Sequence, residues 1–307
     1  MKRHFDIRKH FYMLVAIALV MYALSTFVFS GAHLTVSGVL LGLLMLAASA
    51  AVVYFTVDFF AVSINHAAPV VFAILALSFP GVALYAPSLW AVLAVNGAFY
   101  AASRFYGGDI SDNWVLLYSA LLAVASVMFP PVIWIALFML AMNFFPAGDK
   151  LRFIVTSIVG FLIPMAFILA YSYISADARV LGPAIGGYFK AAVTPDFGFG
   201  ASSAARVIKI MTFIVCFIVS LISFIKRSAQ YSLSHSHVMT MILAYSGAIT
   251  LLVLIFPTGG LAMNTLLIMM PLSLVIYDYL VWGATDRDCR IAIAFLALAV
   301  VLEFVFS

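Results

Sequence analysis

The chain has 307 residues, of which 66% are hydrophobic and 8% are charged, and its formal net charge at pH 7 is +4. A water-soluble domain needs a polar face on nearly every element, so this composition excludes a soluble globular fold. Apolar segments of membrane-spanning length recur from end to end. The sequence therefore predicts an all-α, polytopic transmembrane protein that forms a single transmembrane domain over residues 1–307.

Eleven apolar segments are predicted to span the membrane. In chain order they are Phe11–Phe29, Val36–Thr56, Pro69–Leu84, Ser88–Ser103, Trp114–Phe129, Pro131–Phe145, Phe153–Ser175, Ala205–Ile225, Val238–Phe256, Leu261–Val281 and Ile291–Phe306. The first is longer than the apolar core of a usual signal peptide, about 7–15 residues, so we interpret it as an uncleaved helix. Several others have about 16 residues, fewer than the roughly 20 that an upright span needs.

The distribution of Lys and Arg predicts the orientation of these spans. With the N-terminus inside, the inner side carries Lys2, Arg3, Arg8, Lys9, Arg104, Lys150, Arg152, Lys226, Arg227, Arg287 and Arg290. The outer side then carries Arg179, Lys190, Arg206 and Lys209. Cytoplasmic loops are enriched in positive residues, so this asymmetry predicts an inner N-terminus and an outer C-terminus.

Three Phe-Pro pairs each follow one predicted span and precede the next. They are Phe79-Pro80, Phe129-Pro130 and Phe256-Pro257. Proline cannot continue an incoming helix but begins an outgoing one well, so each pair predicts a tight turn on the outer side. The similar flanking sequences favour either repeated hairpins in parallel orientation or the general tendency of these residues to end membrane helices. Pro164 and Pro271 lie within spans, where each predicts either a kink or a binding site at a broken helix.

The predicted outer loop at residues 176–204 is the longest polar interruption and holds the predicted binding site. Four cations lie in or beside it, namely Arg179, Lys190, Arg206 and Lys209, with aromatic residues between them. Guanidinium and ammonium groups bind phosphate oxygens, so these four are the predicted substrate-binding residues for a lipid phosphate or diphosphate. The alternative is that they only anchor the protein at the membrane interface.

Acidic residues decide whether catalysis is plausible. Asp177 and Asp196 in the outer loop are the catalytic candidates, since a reaction would need one acid as a general base. Asp58, Asp278 and Glu303 are the acids nearest to the spans, but each lies towards a span end, so proton-coupled pumping is not favoured.

No metal, cofactor or nucleic-acid site is predicted. His235 and His237 lie in a predicted inner loop without a third ligand, and Cys216 and Cys289 lie in different environments. No phosphate-loop, zinc-protease or serine-hydrolase motif occurs. The basic net charge reports membrane topology and does not imply nucleic acid.

The stretch SALLAVASVMFPPVIWIALFMLAMNFF and the following KLRFIVTSIVGFLIPMAFILAYSYI carry a family resemblance. Through Leu122–Pro130, Arg152 and Gly160–Pro164, the chain resembles an uncharacterised family of polytopic inner-membrane proteins of Gram-negative bacteria. It is similar, more distantly, to the membrane scaffold of glycosyltransferases that use polyprenyl-phosphate sugars. Those enzymes typically carry an acid in the first outer loop, whereas residues 30–35 here hold none. The resemblance thus implies the bacterial inner membrane and the scaffold, without the transfer chemistry.

The leading hypothesis is a multi-pass inner-membrane protein that binds a lipid-linked anionic substrate, of the polyprenyl-phosphate type, at the outer face in cell-envelope biogenesis. Whether it is an enzyme stays open. The alternatives are a transporter or flippase of small molecules or lipids, and a non-catalytic subunit of a membrane complex. The expected partners are accordingly membrane lipids, a lipid-linked substrate or a partner membrane protein.

Overall fold

Helices account for nearly all of the chain that the structure describes. The structure is a computed structural model, and it describes residues 36–59, 67–77, 88–106, 111–144, 148–175, 233–255 and 261–282, together with 12, 15–20, 22, 187, 190, 214–215, 217–219 and 221–226. These residues contain no strand, so the prediction of an all-α protein is confirmed for the described chain.

Eight helices have bounds within the described residues. They are α1 (Val36–Phe59), α2 (Ala67–Leu77), α3 (Ser88–Tyr106), α4 (Asp112–Met128), α5 (Val132–Phe144), α6 (Lys150–Ser175), α7 (Leu233–Ile255) and α8 (Leu261–Trp282). Each overlaps one predicted apolar segment, because a long run of apolar residues satisfies its backbone groups best as a helix.

The Phe-Pro pair after α4 forms the tight turn that the sequence predicts. The backbone N–H of Phe129 donates to the carbonyl of Ala125 at 2.9 Å, which closes the last turn of α4. The N–H groups of Val132 and Ile133 then donate to the carbonyls of Phe129 and Pro130 at 3.0 and 3.1 Å. Pro130 and Pro131 lack an N–H, so they lose no hydrogen bond at the start of a helix.

Helix α7 corrects one boundary. The sequence predicts an inner loop that contains His235 and His237 and a span that begins at Val238, but α7 begins at Leu233. Ser and His have only moderately low helix propensity, and the apolar run that follows extends the helix back through them. The side chain of His237 is exposed.

Among the described residues, two helices are long and apolar enough to cross a membrane, over Gly38–Val57 in α1 and Lys150–Tyr171 in α6. Shorter apolar helices include Asp112–Met128 and Val132–Phe144. The count of eleven spans and their orientation stay predictions. Pro164 and Pro271 lie inside α6 and α8, each of which continues on both sides of its proline.

The chain divides into two compact units by its internal contacts. The first comprises Met1–Ala86, Gly198–Leu243 and Ile268–Ser307, and the second comprises Pro87–Phe197 and Ala244–Leu267. In the first unit α1 packs against α2, and buried Leu77 contacts Ile17, Tyr22 and Leu46.

In the second unit α4 is the central helix, and it packs against α3, α5 and α6. Two glycines allow close approach to α4. A Cβ on Gly160 of α6 would lie 2.9 Å from the carbonyl oxygen of Leu116, and a Cβ on Gly97 of α3 would lie 3.0 Å from Cδ1 of Leu121. Small residues bring helix backbones together in this way where apolar helices associate. The α4–α6 contact therefore depends on the absence of a side chain at Gly160.

Candidate functional site

The predicted outer-face site falls mostly outside the described residues. Asp177, Arg179, Asp196, Arg206 and Lys209 all lie outside them. Lys190 is described as a helical residue with an exposed side chain, which suits a surface cation but shows no ligand contact. Whether the four cations and two acids come together stays a prediction.

The acids predicted near span ends differ in how far the structure describes them. Asp278 lies in α8 and is only 6% exposed, so its side chain is buried by protein neighbours. Asp58 is the penultimate residue of α1, in keeping with the predicted position near a span end. Glu303 lies outside the described residues.

Helices α4, α5 and α6 enclose a groove on the second unit. Its volume is about 220 Å³, and it is open on one side. It is lined by Tyr118, Ser119, Leu122, Ile133, Ala136, Leu137, Leu140, Ser157, Ile158, Phe161 and Leu162. Leu137 and Leu162 are 52% and 57% exposed, so the open side is bordered by apolar side chains. The groove therefore suits an apolar ligand.

A cluster of uncharged polar residues lies at the groove, where α4 and α6 meet. The Tyr118 hydroxyl and Ser157 Oγ form a hydrogen bond at 3.0 Å, and both side chains are buried. Ser119 lies beside them on α4, and the side-chain amide of Asn143 on α5 adjoins the Tyr118 hydroxyl. We refer to Tyr118, Ser119, Asn143 and Ser157 as the polar cluster.

Asn143 is the unsatisfied member of the polar cluster. It is 1% exposed, and its Nδ2 makes no hydrogen bond of good geometry to any described residue. A buried donor without a partner costs about 1–3 kcal/mol, so such groups usually bond to protein or to an ordered water. Asn96 of α3 and the Tyr245 hydroxyl of α7 are also buried without partners in the described chain.

Three other buried hydroxyls bond to a carbonyl of their own helix. Ser126 Oγ donates to the carbonyl of Ala123 at 2.8 Å, and Ser273 Oγ donates to that of Met270 at 2.7 Å. Thr56 Oγ1 donates to the carbonyl of Val52 at 2.7 Å in the same manner. Serine and threonine commonly bond this way within apolar helices. The bond between Tyr118 and Ser157 is different, because it joins two helices through the groove wall.

Charged residues gather at the starts of α4 and α6. Arg152 Nε donates to Oδ2 of Asp112 at 2.9 Å, and a second nitrogen of the guanidinium donates to the same oxygen. Asp149 caps α6, since its Oδ1 accepts from the backbone N–H of Arg152 at 3.1 Å. The Arg152 and Asp112 side chains are 67% and 41% exposed, so their ion pair orients the two helix starts and contributes little to stability.

Two further cations at this end contact aromatic rings. Arg104 donates to the Tyr100 hydroxyl at 2.9 and 3.1 Å, and its guanidinium carbon lies 5.7 Å from the centre of the Trp114 ring. Lys150 Nζ lies 5.1 Å from the centre of the Phe144 ring. Cations and amphipathic aromatic rings in this combination are typical of a membrane–water boundary.

The groove was not predicted from the sequence. In the sequence, Tyr118, Asn143 and Ser157 look like isolated polar residues in apolar segments. One signal was present: Ile133, Ala136, Leu140 and Asn143 recur with helical spacing, which places them on one face of α5.

Comparisons of the chain with protein-family models, with curated proteins and with solved structures found no match. The class that the described residues define is therefore an all-helical protein with helices capable of crossing a membrane.

Proposed function

We propose that the chain is a multi-pass protein of the bacterial inner membrane that binds a lipid-linked substrate, with part of the lipid chain in the groove between α4, α5 and α6. The groove is the main support for this proposal. It is lined mainly by Leu, Ile, Phe and Ala, and it is open between apolar edges. In a membrane such an opening faces the lipid, so a chain can enter sideways without crossing water.

The groove volume restricts what can enter. A cavity of about 150 Å³ holds benzene, whereas pockets for whole drug-sized ligands measure about 300–1,000 Å³. The groove at about 220 Å³ therefore fits a ring or a short length of branched chain, and it is too small for a sugar attached to a diphosphate. A lipid-linked substrate would place its hydrophilic end elsewhere.

The hydrophilic end is proposed to bind at the outer loop. On the predicted topology α6 runs outwards from Lys150 to Ser175 and leads directly into the loop at residues 176–204. A chain that leaves the groove along α6 would bring a phosphate towards this loop, in or beside which the sequence predicts Arg179, Lys190, Arg206 and Lys209 as phosphate-binding residues. Guanidinium and ammonium groups bind phosphate oxygens, so these four cations favour an anionic substrate such as a polyprenyl phosphate.

Photo-crosslinking in mild detergent tests the groove. The probe is a dodecyl chain with a diazirine, offered both as the alcohol and as the phosphate ester, and mass spectrometry locates the labelled residues. Ala136→Leu fills the groove, so we expect it to remove most labelling of the groove-lining residues. Ala141→Leu on the exposed face of α5 is the matched control and should label like the unmodified protein.

Two further results of this experiment test the proposed function. Absence of labelling at the groove with either probe would contradict lipid binding there. The double variant Arg206→Ala with Lys209→Ala should reduce retention of the phosphate ester and leave that of the alcohol unchanged. Equal retention of both probes by this variant would mean that the outer cations only anchor the protein at the membrane interface.

A lipid flippase is the second candidate, and Pro164 favours it. Pro164 follows Phe161 and Leu162, which line the groove, and it removes the N–H that the carbonyl of Gly160 would otherwise accept. A helix weakened beside its ligand groove can bend during transport. Substrate-dependent labelling of one groove residue from both sides of the membrane would support flipping, and access from one side alone would oppose it.

A further inference from the structure

We infer that Lys150 and Arg152, in the first turn of α6, form a second phosphate site, which holds the head of an anionic lipid whose chain lies in the groove. The inference rests on the proposed lipid binding and goes beyond it, because this end of α6 is opposite to the outer loop. On the predicted topology it faces the inner side. A phosphate site on the inner side as well as on the outer side is what a lipid flippase would need.

The groove lies nearer to the start of α6 than to the outer loop. Its lining on α6 runs from Ser157 to Leu162, which lie about 10 and 18 Å beyond Lys150 along the helix. Helix α6 ends at Ser175, which lies about 20 Å beyond Leu162. A lipid chain in the groove therefore needs a shorter length to reach Lys150 than to reach the outer loop.

The Lys150 side chain extends along the open side of the groove. The exposed lining residues Leu137 of α5 and Leu162 of α6 border that opening. Lys150 Nζ lies 5.1 Å from the centre of the Phe144 ring, so the side chain reaches from the start of α6 to the last residue of α5. The ammonium group thus lies between α5 and α6, where the head of a lipid in the groove would emerge.

Both cations keep hydrogen-bond donors for a phosphate. Lys150 is exposed and its Nζ carries three hydrogens, none of which bonds to another residue of the described chain. Arg152 has five donor hydrogens, and its bonds to Asp112 use two of them. Most of the Arg152 side chain is exposed, so its remaining donors are accessible from outside the protein.

Carboxylates near this end decide how the two cations share the phosphate. Asp112 accepts from Arg152, and Asp149 caps α6 through its Oδ1. Asp109 lies in the segment before α4, outside the described residues. Lys150 has no carboxylate partner in the described chain, so it is the main phosphate ligand, and Arg152 contributes the donors that Asp112 leaves.

Photo-crosslinking with the two dodecyl probes tests this site through the labelling of the groove-lining residues. Lys150→Gln removes the charge and keeps a long polar side chain. Labelling by the phosphate ester should fall roughly threefold to fivefold, and labelling by the alcohol should not change. Asp112→Asn releases Arg152 from its carboxylate, so labelling by the phosphate ester should rise. The exposed ion pair contributes little to stability, so this variant should fold.

Lys226→Gln is the matched control, because it removes an exposed lysine of the first unit by the same substitution. It should label like the unmodified protein with both probes. Unchanged labelling by the phosphate ester in Lys150→Gln and in Asp112→Asn would overturn the inference while lipid binding stands. Failure of both probes to label the groove would instead contradict the proposed function.

Inorganic phosphate distinguishes a lipid phosphate from a free one. It lacks the chain that occupies the groove, so an amount equal to that of the phosphate ester should leave labelling by the ester unchanged. Loss of this labelling at equal concentrations would mean that the cations bind free phosphate, and the assignment of a lipid head would be wrong.

Discussion

Gly160 carries a hydrogen where alanine would carry a methyl group, and this difference sets how closely α4 and α6 approach. At Gly160 an added Cβ would meet the backbone of Leu116, with its carbonyl oxygen at 2.9 Å and its Cα at 3.1 Å. Backbone atoms of a packed helix cannot move aside singly, so the two helices would have to separate. At Gly97 the nearest atom is instead the end of the flexible Leu121 side chain, at 3.0 Å.

Substitution by alanine is therefore expected to have a large effect on stability at one of these glycines and a small effect at the other. Gly160→Ala should lower the free energy of unfolding by about 1–3 kcal/mol, because overpacking strains the α4–α6 contact. Gly97→Ala should change it by less than about 0.5 kcal/mol, since a small side-chain movement is offset by the better helix propensity of alanine. Thermal unfolding of both variants in the same detergent measures the difference. Equal loss of stability in the two variants would show that the backbone contact at Gly160 does not restrict helix packing more than the side-chain contact at Gly97 does.

The polar cluster shows why single residues are hard to interpret from sequence. Tyr118, Asn143 and Ser157 occur on three different helices, and nothing in their local sequence says that they meet. Serine within an apolar helix usually bonds to its own backbone, as Ser126 does. Only the packing of α4, α5 and α6 brings these three scattered polar residues into one buried cluster.

Local side-chain chemistry decides where several of these helices begin and end. The predicted boundary between α4 and α5 agrees with the structure to within about one residue, because proline chemistry acts locally. The start of α6 was predicted at Phe153, but the helix begins at Lys150 because Asp149 caps it. A polar first turn of this kind cannot be predicted from the positions of apolar residues alone.

The cap at Asp149 can be tested by two substitutions. Asp149→Ala removes the acceptor of the Arg152 N–H and should cost about 1 kcal/mol of stability, whereas Asp149→Asn keeps a side-chain oxygen and should cost little. Hydrogen exchange at the Arg152 amide gives the local readout and should accelerate only in the alanine variant. Comparable exchange in both variants would mean that the side chain does not stabilise this helix end.

The whole molecule raises the question of orientation in the membrane. Helix α6 has 26 residues, or about 39 Å, which exceeds the roughly 30 Å of a bilayer core. Its first turn carries Lys150 and Arg152, and basic residues favour the cytoplasmic side. If α6 spans the membrane, residues before Lys150 and residues in the loop after Ser175 must face opposite sides.

Cysteine accessibility tests this orientation. In a background with Cys216→Ser and Cys289→Ser, Gly148→Cys should react with a membrane-impermeant maleimide only after the cells are permeabilised. Ser202→Cys in the outer loop should react in intact cells. Reaction of both cysteines from the same side would contradict the crossing by α6 and the predicted assignment of inner and outer loops.

The sequence by itself determined the helical class and the approximate positions of the described helices. Apolar runs without helix breakers must satisfy their backbone groups internally, and that requirement is local. Only the tertiary structure brought Tyr118, Asn143 and Ser157 together and left the groove beside them. A groove is the space that three helices fail to fill, so it depends on close approaches such as that of Gly160 to Leu116. Those approaches join residues about forty positions apart, and no local pattern in the chain specifies them.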